Sequence, residues 1–68
     1  MQILRVGSRI RITWKTTSPR DVDEAREFFS RQTKQGWLAA RRNSEYRRVL
    51  GFSPEHGELW FIPLSEGG

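Results

Sequence analysis

The order of apolar and polar positions divides the chain into short alternating runs around one stretch of helical period. Residues 9–16 alternate: Ile10, Ile12 and Trp14 fall on one side, Arg9, Arg11, Thr13 and Lys15 on the other. A period of two predicts a strand with one buried and one solvent-facing side. Residues 2–6 read as a preceding strand. Gly7-Ser8 between the two is a Gly-X pair suited to a two-residue hairpin, with one continuous strand bulged at Gly7 as the alternative. Ser18-Pro19-Arg20-Asp21 then carries the marks of a helix start. It offers a hydroxyl to cap the free N–H groups, a proline for the first helical position and an acid near the positive end of the helix dipole. Val22, Ala25 and Phe29 recur at spacings of three and four, with Phe28 beside them, which predicts a helix over residues 19–35. Gly36 is its expected left-handed terminator. The outward face holds Asp23, Glu24, Glu27, Arg31 and Lys34, with Glu27 and Arg31 one turn apart as a supporting pair.

After Gly36 the period returns to two. Residues 37–42 read as a strand, Asn43-Ser44 as a turn, residues 46–52 as a strand with Gly51 at a bulge position, residues 53–57 as a loop and residues 58–63 as a last strand. A single helix among five strands can bury its stripe only by lying across one face of their sheet. The expected fold is α+β, in the order β-β-α-β-β-β, with a mixed sheet of four to five strands. Val22, Ala25 and Phe29 should face Ile10, Ile12, Leu59 and Phe61. Residues 1–63 form the expected domain and residues 64–68 a tail.

Composition narrows what such a domain can do. A chain of 68 residues buries only about 60% of the surface its unfolded form exposes, so the core is thin. Only 35% of residues are hydrophobic, but three Trp and four Phe supply large apolar groups. Without cysteine there is no disulfide framework and no thiolate metal site, and the lone His56 reads as a turn residue. No catalytic motif is present, so the chain reads as a binding or carrier protein that needs no cofactor and is not an enzyme. No apolar run is long enough to span a bilayer and no basic-then-apolar leader opens the chain, so the expectation is a soluble, cytoplasmic protein.

The opening Met1-Gln2-Ile3, the single helix after Ser18-Pro19 and the closing segment Gly57-Glu58-Leu59-Trp60-Phe61-Ile62-Pro63-Leu64-Ser65-Glu66-Gly67-Gly68 resemble the β-grasp fold of ubiquitin-like and sulfur-carrier proteins. The resemblance covers the last dozen residues best and is weakest between residues 37 and 56. It implies a protein whose C-terminal carboxylate, on Gly68, is adenylated by an activating enzyme and passed on as a thiocarboxylate or to an acceptor protein. Gly67 would thread the activating enzyme's channel, where a residue without Cβ takes least room. A second resemblance runs through Ala25, Phe29, Gly36-Trp37-Leu38-Ala39, Phe52-Ser53-Pro54, Ile62-Pro63 and Gly67-Gly68. These look like small proteins of phage and prophage gene clusters, which implies a structural role with the Gly-Gly end as a terminal turn.

Charge gives a third signal. Ten Arg and two Lys against eight acids leave a net +4. Arg9 and Arg11 lie on the polar side of one strand, and Arg41-Arg42 and Arg47-Arg48 flank one predicted hairpin. Like charges meeting across that turn, expected at Arg42 and Arg47, cost stability unless an acid or a bound anion lies between them. Glu45 is the acid at hand. Arg9, Arg11, Arg41, Arg42, Arg47 and Arg48 are therefore the candidate partner-binding residues, facing a phosphate backbone or an acidic protein surface. Solvated charge that protects the sheet from edge pairing is the plain alternative.

Overall fold

The computed structural model describes residues 1–64. It contains β1 (Gln2–Val6), β2 (Arg9–Thr13), α1 (Pro19–Lys34), β3 (Trp37–Arg42), β4 (Tyr46–Arg48), a 3-10 turn at Pro54–His56, and β5 (Glu58–Pro63). One helix packs on a five-stranded sheet, the expected α+β class, and the element order is compatible with a β-grasp-like arrangement. The strand order is β1-β2-β5-β3-β4. Every ladder is antiparallel, so the sheet is not mixed: β5 enters between β2 and β3 and runs antiparallel to both.

Local chemistry explains the elements. Gly7, at φ 63°, is the only left-handed residue of the β1–β2 connection, so Gly7-Ser8 closes a two-residue hairpin of the II′ type and Val6 pairs with Arg9. At the helix start Ser18 Oγ accepts from the Asp21 N–H at 3.3 Å. At the other end Gly36, at φ 94°, turns the chain out of the helix while its N–H bonds the Thr33 carbonyl at 3.2 Å.

The core lies between α1 and one sheet face. Ile12, Leu59, Phe61 and Ala25 are fully buried, with Ile10, Trp14, Phe28 and Ala39 around them. The helix phase differs slightly from expectation: Phe28, not Phe29, is the buried aromatic, and Val22 and Phe29 flank the cluster. Phe28 meets Phe61 edge-on with centroids 5.3 Å apart, while Phe29 bridges Phe61 and Phe52. Two strands are shorter than their alternation suggests. β2 stops at Thr13, where the Trp14 N–H turns to the Gly57 carbonyl at 3.0 Å and the indole Nε1 donates to the Pro54 carbonyl at 2.8 Å. β4 stops at Arg48, and Leu50 projects into solvent. Along the helix Asp23 pairs with Arg26, and among the described residues no ion pair joins Glu27 to Arg31.

Asp21 ties the sheet to the helix start. One carboxylate oxygen accepts from the Lys15 N–H at 3.0 Å and the other from the Met1 ammonium at 2.9 Å. The Lys15 amide, then the Met1 ammonium, hold the Asp21 pKa below its ordinary value, and the same carboxylate raises that of Met1. A depressed acid stabilises the fold above its unfolded pKa and loses that contribution as pH falls through the folded one. A raised amine stabilises below its unfolded pKa and loses it as pH rises through the folded one. The difference in Tm between the parent and Asp21→Asn should therefore be largest near neutrality and shrink toward both acid and base. A difference independent of pH would show that Asp21 acts through its hydrogen bonds alone.

Candidate nucleic-acid interface

Only one face of the sheet carries the helix. Register places Gln2, Leu4 and Val6 of β1, Arg9, Arg11 and Thr13 of β2, Glu58, Trp60 and Ile62 of β5, Leu38, Ala40 and Arg42 of β3, and Tyr46 and Arg48 of β4 on the other face. No described element covers it. The stripe Arg9, Arg11, Thr13 thus points where its alternation predicted.

At the centre of this open face Trp60 is only 6% exposed. Its cover comes from side chains lying down across the sheet. Ala40, directly opposite Trp60 on β3, leaves room for them. Tyr46 meets the indole edge-on at 5.7 Å, and the Arg42 guanidinium lies 5.5 Å from the Trp60 ring and 5.5 Å from the Tyr46 ring. Arg9 reaches from β2 to place its guanidinium 4.8 Å from the centre of the Tyr46 ring and to donate to the Tyr46 hydroxyl at 3.2 Å. Two cations therefore share one ring. The π-face attracts each, but their mutual repulsion is left uncompensated. Arg11 is the exception: both Nε and Nη2 donate to Glu58 Oε2, at 2.7 and 2.6 Å, so its charge is matched within the sheet.

The β3–β4 hairpin corrects the expected pairing. Its loop holds three residues, Asn43 to Glu45, closed by the Asn43 N–H on the Glu45 carbonyl at 3.0 Å. The three-residue loop sets the register one step away from that pairing. Arg42 faces Tyr46, and the arginines directly opposite are Arg41 and Arg47, on the side of the sheet that Ala39 shares. Arg42 and Arg48 join the open face instead. Among the described residues no carboxylate lies within ion-pair distance of Arg9, Arg41, Arg42, Arg47 or Arg48, and Glu45 does not fill that part. Around the hairpin end lies a cavity of about 690 Å³ lined by Arg41, Arg42, Glu45, Arg47, Arg48 and His56, among others. His56 Nδ1 is buried there without a hydrogen-bond partner.

Two contributors carry no signal of their role in the sequence. Tyr46 reads only as the start of a strand, and His56 only as a turn residue; what each does depends on neighbours distant along the chain. Gly67 and Gly68, the candidate carrier residues, lie outside the described residues. Among the described residues no group of three or more His, Cys, Asp and Glu could hold a metal ion, and no helix is long and apolar enough to cross a membrane. Compared with family models, curated proteins and solved structures, the chain matches none.

Proposed function

We propose that the protein is a cytoplasmic binding module, not an enzyme, that holds single-stranded nucleic acid on the open face of its sheet. The observation that carries this reading is the pair Arg9 and Arg42, two guanidinium groups set against Tyr46 and Trp60, with Arg48 on the same face and none of the three in an ion pair among the described residues. Guanidinium groups recognise phosphate through paired N–H donors, and their planes can themselves stack on a base. A broad sheet face suits a flexible strand; reading a duplex groove needs a protruding helix or ribbon. The test is binding of a labelled single-stranded oligonucleotide, with poly-glutamate of matched charge as competitor. Tight binding that weakens steeply with salt and resists poly-glutamate supports the reading. Equal competition by poly-glutamate moves the partner to an acidic protein surface, as a structural protein of the phage type would need.

A second reading is the activated carrier, in which Gly67 and Gly68 are used by an adenylating enzyme and an acceptor protein. It is favoured by one feature: β5, which leads toward those residues, is the central strand, with Leu59 and Phe61 fully buried. A strand anchored that firmly would resist being drawn out when a partner pulls on the segment after it. Incubation with ATP, a sulfur donor and a candidate activating enzyme should then exchange one oxygen for one sulfur in the intact mass. No change in mass with enzymes that modify known carriers removes the reading.

A further inference from the structure

The hairpin cavity differs in kind from the open face. Arg42 and Arg48 belong to both, but Arg41 and Arg47 reach the cavity from the opposite side of the sheet. The ladder holds these two directly opposite each other, with no acid between them. β4 is an edge strand, so the cavity wraps around a free margin of the sheet. A strand lying on the open face continues past this margin unless it ends there. A chain end can turn around it and meet arginines from both sides.

We propose that this cavity binds the terminal nucleotide of a single strand through its phosphomonoester, an inference that rests on the nucleic-acid reading above. Three features select that ligand. A monoester carries between one and two negative charges near pH 7 and three strong acceptor oxygens, which suits a convergence of guanidinium groups better than an internal diester with its single charge. The volume of about 690 Å³ lies within the range of small-molecule sites, roughly 300–1,000 Å³, and holds a nucleotide rather than a bare phosphate. The neutral donors are also in place. Asn43 and Ser44 line the cavity beside the arginines. His56 forms part of the wall. Glu45, the one acid of the lining, sits in the loop rather than between the paired arginines.

The test uses one oligonucleotide sequence in three forms, with a 5′-phosphate, with a 3′-phosphate and with hydroxyls at both ends. Each carries its fluorophore at an internal base, and affinity is read by anisotropy. One phosphorylated end should bind about tenfold more tightly than the hydroxyl-ended strand, the scale of one or two charge-assisted contacts. The double variant Arg41→Gln/Arg47→Gln should erase that preference and leave the hydroxyl-ended strand within about twofold of the parent, because the open face keeps its own arginines. Both side chains are exposed, so the variant should melt like the parent. Three forms that bind equally, or a preference that survives the double variant, overturn the cavity proposal and leave the open-face reading standing. Failure of every form to bind overturns both. A nucleoside monophosphate that displaces the phosphorylated strand with the same affinity assigns the cavity to a free nucleotide and overturns its role at strand ends.

Discussion

Phe61→Ala is expected to abolish most of the cooperative thermal melt. Phe61 is fully buried on the central strand, pairs with Ile10 on one side and Ala39 on the other, and receives Phe28 and Phe29 from the helix. Truncating a buried phenylalanine costs about 3–5 kcal/mol, from the lost transfer energy and the cavity left behind. At the usual stability per residue, a domain of this length has roughly 3–10 kcal/mol in all. Circular dichroism at 25 °C should then show a largely unfolded variant. Phe61→Leu, which keeps much of the volume, should melt below the parent but cooperatively. Phe29→Ala should fall between the two, since Phe29 is only half-buried beside Phe52. A Phe61→Ala melt within a few degrees of the parent would mean that β5 does not lie under the helix.

The second large effect concerns salt. If, on a strand with a phosphorylated end, Arg9, Arg42 and Arg48 each neutralise a backbone phosphate and one of Arg41 and Arg47 the terminal one, log K should fall against log salt with a slope near −0.7 per contact, or about −3 in total. Raising salt from about 50 to about 200 mM would then weaken binding by roughly 50-fold. Replacing Arg9 and Arg42 by Gln removes two of the contacts and should halve the slope. The same change takes both cations off the Tyr46 ring, so it tests the stacked group as a unit. Replacing Arg11 should change the slope least, because Glu58 already holds that guanidinium. A parent protein whose binding does not change with salt would refute a backbone contact of any kind.

Much of the fold was legible because it is written in local chemistry. Alternation in residues 9–13 settled which way Ile10 and Arg11 point. Ser18, Pro19 and Gly36 marked the helix ends, where unsatisfied backbone groups demand particular residues. What was not legible is long-range. A period of two assigns faces but not neighbours, so nothing local could show β5 lying beside β2. The hairpin register turned on the length of its loop: three residues, Asn43 to Glu45, set Arg47 opposite Arg41, where a two-residue turn would set it opposite Ala40 and a four-residue loop opposite Arg42. The run from Leu59 to Ile62 is apolar throughout, which is the pattern of a strand buried on both faces. The helix buries one face of it, but the cover on Trp60 is built from Arg42 and Tyr46, residues whose charge and polarity suggest exposure. Among the basic residues sequence alone named the charges, and the sheet then divided them into one matched by Glu58, three on the open face and two at its margin.

The place of β5 bears on how the chain is made. It is last along the sequence yet lies between β2 and β3, so the β1–β2 hairpin and the helix with its β3–β4 hairpin share no ladder until it arrives. During synthesis the first fifty-odd residues emerge with half a core and an open slot where two strand edges await a partner. Folding in one step must wait until residues 58–63 leave the ribosome, and the loop to be closed, from β2 to β5, spans most of the domain. A nascent chain stalled before that point exposes Ile10, Ile12 and Phe28 together, the condition under which chaperones bind and unpaired strand edges find the wrong neighbour.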